Sequence, residues 1–402
     1  MTEENSTGAG PLAGVKILDL GNMIAGSGAV TTLCDQGAEV IKVEPPGLGD
    51  VMRYMGATRE GVGAMYHNIN RGKRSIAIDL KSSEGLALVL KLAEAADVVV
   101  QNFRPGVVER LGVDYQSLRA VNPNLIYLSV SGFGERGPYS DKGAYDNIIQ
   151  AFAGVARSQA NQETGEPVQY YQLFADKLSA LTGSQAITAA LFARQRGAGG
   201  QHIRLSMANA VAAFLWADVA GTAGFREPGA QPGIEVAKGV PLIQFKDGWG
   251  AVAPVTDAQF AGCCRAFGVD GSDPRYSTMA ARNANPEEMT GLMQQIREKA
   301  AATTIAQAIA AMDAEGVPCA QAMELADLPR HPQMIANNSF TEVDNPQAGA
   351  MIEPNNPPDF LGTPSPSLRP AAALGEHTDA IMAEQGYGSS EIKRLREAGV
   401  IA

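Results

Sequence analysis

Histidine and cysteine are scarce, with four of each among 402 residues. The histidines are not closely paired, and Cys34, Cys263, Cys264 and Cys319 match no zinc-ligand spacing, so metal chemistry is not expected. The adjacent Cys263 and Cys264 do not suit a disulfide, and so few thiols in a long chain fit a reducing compartment. Positive charge is also short: 32 Lys and Arg face 43 Asp and Glu, a net charge of −11. Phosphate-backbone binding needs a basic surplus, so nucleic acid is excluded as a partner, though a local basic patch could hold a small phosphorylated ligand. No apolar run reaches the ~18 residues of a membrane span, and no membrane partner is expected. Residues 1–10 are polar and acidic, unlike a signal or transit peptide, which makes cytoplasmic location the expectation. What remains is ordinary: 45% hydrophobic and 19% charged residues describe a globular protein, and the length suggests two or three domains.

Beyond the polar start, short β-rich runs alternate with helical stretches. Val15 to Leu20 reads as a strand, Gly21 to Gly28 as a turn, the following stretch to Gln36 as a helix, and Glu39 to Glu44 as the next strand. The alternation continues with strands at Arg74 to Leu80, Asp97 to Phe103, Leu125 to Phe133 and His202 to Met207. Helices are expected from Ser82 to Ala96, Ala175 to Gln195 and Ala208 to Ala220. This order predicts an α/β fold, a mostly parallel sheet covered on both faces. Gly221 to Gly239 reads as a linker, Leu242 to Val255 as a hairpin turning at Asp247-Gly248, and Asn345 to Pro370 as an extended connection.

Three features could carry chemistry. Gly21, Gly26 and Gly28 with Glu44 suggest a dinucleotide loop, but the spacing lacks the Gly-x-Gly-x-x-Gly that lays a pyrophosphate on a helix N-terminus. Asn70-Arg71-Gly72-Lys73-Arg74, with Arg104 and Arg110 after another strand, could meet phosphates; equally, these could be solvated loops. Asp176 stands where a long apolar helix begins. It could be a simple cap, or an ionised nucleophile favoured by the helix N-terminus.

Four stretches, taken together, decide among these readings. They are Leu18-Asp19-Leu20 with Ala25-Gly26, Gly37 to Glu44 and Gly49-Asp50; Asn70 to Ile76 with Gln101 to Gly106; Ser131-Gly132-Phe133-Gly134 with Gly137-Pro138-Tyr139 and Ala144 to Ala151; and Asp176 with Gly183 and Gly197 to Gln201. With Leu374-Gly375-Glu376-His377-Thr378, they run almost end to end. In order and spacing the chain resembles the family III CoA-transferases, which include the formyl-CoA:oxalate and carnitine CoA-transferases and share a superfamily with α-methylacyl-CoA racemase.

The resemblance implies a Rossmann-like large domain, a smaller α+β domain and an interlocked homodimer. The expected division is a disordered tail at 1–10, a large CoA-binding domain at 11–220 to which 326–402 returns, and a small domain with linkers at 221–325. It implies exchange of coenzyme A between carboxylic acids, with acyl-CoA and a carboxylic acid as partners and no tightly bound cofactor. Asp176 matches the catalytic aspartate, passing through an aspartyl anhydride and an aspartyl-CoA thioester. Met23, Lys73, Arg74, Asn102, Phe103, Arg110, Tyr145 and Met207 match coenzyme-binding positions, and Asp146 a position that orders the catalytic loop. The chain departs from the formyl-CoA enzymes at Ile24, where they carry glutamine, at Pro45-Pro46, where they carry arginine, and before Leu242, where only Gly239 stands for a four-glycine run. Oxalate and formate are therefore not the expected substrates. Two rivals remain: a racemase, against which Tyr145 stands where those enzymes place histidine, and a non-catalytic acyl-CoA-binding protein.

Overall fold

The computed structural model describes residues 8–161, 163–231 and 241–402. The chain forms two compact units, one comprising the chain to Ala217 with Pro332–Ala402, the other Asp218–His331.

The larger unit is built on six strands: β1 (Lys16–Asp19), β2 (Glu39–Glu44), β3 (Arg74–Ala77), β4 (Val98–Gln101), β5 (Ile126–Ser131) and β6 (Gln201–Ser206). They line up in the order β3-β2-β1-β4-β5-β6, every pairing parallel. This is the strand order of a Rossmann sheet, in which the crossovers run one way from β1 and the other way from β4. Alternation along each strand feeds two apolar layers, because successive side chains point to opposite faces. Ile17, Val40, Val98, Val100, Ile126 and Leu128 meet α1 (Ala25–Asp35) on one face. Leu18, Val43, Ile76, Val99 and Tyr127 meet α2 (Ser83–Glu94) on the other. Each such side chain wholly removed from water contributes about 1.5–3 kcal/mol.

The first layer also takes in α4 (Phe174–Ala193) and α5 (Met207–Val219), while α3 (Asp146–Phe152) packs against α4. The helix α1 opens at Ala25 rather than after Gly28, so two of the glycines expected in the turn lie inside it. They are there for contact: a Cβ on Gly26 would sit 3.2 Å from Cγ of Asn102, and one on Gly28 3.0 Å from Cβ of Ala180. The chain end closes the β3 edge. α6 (Thr378–Glu384) and α7 (Ser389–Glu397) join the second layer, and Ile401 bridges Ile78. Of the expected N-terminal tail, residues 1–7 lie outside the described residues, while Gly10 is buried and donates its N–H to the Pro364 carbonyl at 3.0 Å.

The smaller unit pairs three antiparallel strands, Cys319–Gln321, Gly248–Val252 and Ile243–Phe245, with helices Asp257–Ala266, Pro286–Ala301 and Ile305–Ala314. The hairpin forms where Asp247-Gly248 marks it. Cys263 and Cys264 are buried in this core, and burial pushes the Cys263 thiol up to about 12, which leaves it unreactive. The expected linker at 221–239, with Gly239, falls partly outside the described residues. The segment expected as an extended connection instead contributes to a two-stranded antiparallel hairpin, Phe340–Asn345 with Gly349–Pro354.

Candidate active site

Asp176 lies in the first turn of α4, whose preceding residue, Leu173, supplies no side-chain cap. The cap comes from elsewhere: the backbone N–H of Asp176 donates to Oδ1 of Asp146 at 3.0 Å. Asp146 opens α3 and is buried. One turn on, buried Gln150 donates from Nε2 to Oδ2 of Asp146 at 2.5 Å and to the Gln172 carbonyl at 2.9 Å. Its Oε1 accepts from the Tyr170 N–H at 2.9 Å. Gln150 thus ties the segment leading into α4 to the helix that carries Asp146.

The carboxyl group of Asp176 is left without a cation. Among the described residues it has neither an ion pair nor a side-chain hydrogen bond. Burial, reinforced by the negative charge of Asp146, pushes it up to about 7. The helix N-terminus favours the ionised form, but burial and Asp146 oppose it and win. Tyr145 precedes Asp146, at the N-cap of α3, with 63% of its surface exposed.

A second locus lies beyond the carboxyl ends of β1 and β4, where the sheet reverses direction and open α/β sheets take their ligands. The loop Gly21-Asn22-Met23 follows β1. Asn102 follows β4 and grips that loop from both sides: Oδ1 accepts from the Asn22 N–H at 2.8 Å, and Nδ2 donates to the Asn22 carbonyl at 2.7 Å. A cavity opens here, lined by Gly21, Asn22, Asp50, Leu80, Lys81, Phe103 and Leu111 among others. Arg110, beside Leu111 on the helix Val107–Leu111, is exposed and has no ion pair among the described residues. Met23, Asn102, Phe103 and the turn bearing Arg110 therefore gather at one place. Met23 and Leu173 pack against the same small cluster of Ile24, Met52 and Tyr66, which links this loop to the start of the Asp176 helix.

The remaining expected residues stand elsewhere. Lys73 is buried, its ammonium on Asp19 Oδ2 at 2.9 Å, the Ser27 carbonyl at 2.7 Å and Asn70 Oδ1 at 3.0 Å. Arg71 is likewise buried against Asp35, and Arg74, at the amino end of β3, forks onto Glu384 at 2.7 and 2.9 Å. Within the run Asn70 to Arg74, Arg71 and Lys73 are thus committed to buried partners, while Arg74 makes an ion pair at the surface. Met207 is buried in the first apolar layer at the start of α5. Lys81 is the cation the sequence argument overlooked. Its signal was its place just past the end of β3, in Asp79-Leu80-Lys81.

Comparison with known proteins shows the family. The sequence profile described as CoA-transferase family III matches residues 12–378. The chain is 34% identical to the succinate–glutarate CoA-transferase of Agrobacterium fabrum over 388 residues, covering 93% of this chain and 95% of that one. It is 33% identical to the succinyl-CoA–D-citramalate CoA-transferase of Chloroflexus aurantiacus, with 97% and 98% covered. A CAIB/BAIF family protein of Brucella suis superposes with a TM-score of 0.82 at 32% identity, covering 94% of this chain and all of that one (100%). A profile match over most of the length, full-length relatives and a shared fold leave one conclusion: the chain belongs to CoA-transferase family III and is a transferase enzyme.

Proposed function

We propose that the protein exchanges coenzyme A between two carboxylic acids with Asp176 as nucleophile. The observation that carries this reading is a partly buried carboxyl group with no cation partner among the described residues, held at a helix start by Asp146 and raised to about 7. A structural aspartate in such a place would be paired. An unpaired one is half ionised near neutrality and more basic than an ordinary carboxylate, which suits a nucleophile.

In the first step a carboxylate oxygen of Asp176 attacks the thioester carbonyl, the C–S bond breaks, and the products are a mixed anhydride and coenzyme A thiolate. The thiolate then attacks the aspartyl carbonyl and expels the donor acid, leaving Asp176 as a coenzyme A thioester. The acceptor carboxylate attacks that thioester and forms a second anhydride, from which the returning thiolate takes the acceptor acyl group and frees Asp176. Every intermediate stays acyl-activated, so the thioester's energy is retained provided water is kept out. Coenzyme A would lie in the crevice beyond β1 and β4, with Phe103 along its wall and Asn102 holding the Asn22 loop that lines it. Arg110 and Lys81 would meet the phosphates there, a task that the committed ammonium of Lys73 is not free to perform.

The test is chemical. Asp176→Ala is expected to lower exchange between an acyl-CoA and an unrelated carboxylate by about a thousandfold or more. Coenzyme A affinity, by calorimetry, should stay within about threefold. Hydroxylamine added during turnover of the unaltered enzyme should leave a hydroxamate on Asp176. A label on another residue, or deuterium uptake next to the thioester without exchange, would overturn the reading.

A further inference from the structure

Met23 has a φ of 61°, in the left-handed region. A side chain with a Cβ is strained there, and strain of this kind persists only where the surroundings over-determine the backbone. Here they do. The Gly21 N–H donates to Asp19 Oδ1 at 2.8 Å, and the Gly21 carbonyl accepts from Lys42 Nζ at 2.9 Å. Both backbone groups of Asn22 are held by Asn102. The Met23 N–H is shared between Asn22 Oδ1, at 3.0 Å, and the Asp50 carboxylate, 3.3 and 3.2 Å from its two oxygens. Asp50 in turn is buried, caps the Met52 N–H at 3.0 Å and pairs with Lys42 at 3.1 Å. The loop is fastened at every residue, and Asp50 is the group that ties its strained residue to a part of the chain beyond the loop.

We propose that Asp50 is a positioning residue: its carboxylate latches Met23 in the left-handed conformation and thereby fixes the wall of the crevice between β1 and β4. The inference rests on the reading of that crevice as the coenzyme A site. Asp50 itself forms part of the cavity lining, while Met23 and Leu173 share one apolar cluster. A loop that relaxed to an extended conformation would move both the cavity wall and the support beneath the start of the Asp176 helix. The strain is the cost of a preorganised wall, and glycine, which adopts positive φ freely, would not need the latch.

A double-mutant cycle tests this. Asp50→Ala removes the acceptor, leaves the left-handed penalty on Met23 less opposed and should lower kcat/KM for acyl-CoA about tenfold. In a Met23→Gly background the same Asp50→Ala change should cost less than about threefold, because glycine carries no such penalty. An equal loss in both backgrounds would overturn the proposal and leave Asp50 as a partner of Lys42 alone. Should Asp50→Ala not fold, Asp50→Ser, whose shorter side chain withdraws the acceptor, takes its place: the Met23 amide should exchange faster in that variant than in the unaltered protein, and equal exchange would overturn the latch. Coenzyme A titrated into the unaltered protein separates the two readings. No binding there removes the crevice assignment and the latch's role with it, whereas normal binding with a failed cycle removes the latch only.

Discussion

Two aspartates, Asp19 fully buried and Asp176 partly so, occupy the same unit and meet opposite electrostatic surroundings. Burial alone would raise Asp19, but Lys73 and Lys42 override it and hold the group below the ordinary carboxylate range. Asp176 meets burial and a second aspartate, with no cation to offset either, and rises to about 7. The first environment is a closed network: Lys42 and Lys73 bind Asp19, Asp50 binds Lys42, and Glu44 binds Arg53 at 2.7 Å. The second is a single acid kept unpaired while its backbone is fastened by Asp146. Desolvated charge that is paired builds a scaffold, and desolvated charge left unpaired is available for chemistry.

The sharpest way to break this contrast is to unpair the scaffold. Asp19→Asn leaves the Lys73 ammonium buried without an anion, and removing one partner of a buried pair costs about 3–5 kcal/mol. Urea unfolding at pH 7 should show that loss, and adding Lys73→Met should recover most of it. A midpoint unchanged by Asp19→Asn would mean that the network is not held by charge. The opposite sign is expected at the other site. An unfolded aspartate titrates near 3.9, whereas the folded group holds its proton to about 7. Between those values the native state binds the extra proton, so raising the pH removes stability, and above 7 the whole penalty is present. Asp176→Asn should therefore melt at higher temperature than the unaltered protein, by about 1–2 °C for each kcal/mol relieved, and the gain should be larger at pH 8 than at pH 5. Equal melting at pH 8 would show that Asp176 carries no such penalty.

The sheet was legible in the sequence because parallel strands buried on both faces read as short, β-rich apolar runs; β2 covers Glu39–Glu44, as the pattern alone indicated. Three features were not. Gly26 and Gly28 read as a turn because a glycine needed for close contact looks, in sequence, like one needed for a bend. The strand Gly349–Pro354 was hidden by the Asn and Pro around it. Lys73 and Arg71 read as surface cations because their partners Asp19, Asp35 and Glu353 lie 54, 36 and 282 residues away. At the site, Asp176 and Asp146 were legible as motif positions, but the unpaired state of Asp176 was not, since it depends on what fails to lie nearby. Asp50 appeared only as part of Gly49-Asp50; its hold on Met23 spans 27 residues and a backbone angle that no local pattern encodes.

The smallest effect probes the difference between the aspartates most directly. If the reacting form of Asp176 is the carboxylate, kcat/KM for acyl-CoA should rise with pH through about 7 and then level. Burial is the larger cause of that value and Asp146 the smaller. Asp146→Asn removes the negative neighbour and keeps an oxygen to accept the Asp176 N–H, while its amide nitrogen replaces the oxygen that Gln150 donates to, so the acid limb should move to lower pH with the plateau lowered by no more than about tenfold. The shift should be partial, because burial is untouched and still holds the midpoint above the ordinary carboxylate range. A plateau that collapses with no movement of the limb would make Asp146 a purely mechanical support. A limb that moves with the plateau within that range would show that one aspartate tunes the other through charge, as the lysines tune Asp19 in the opposite direction.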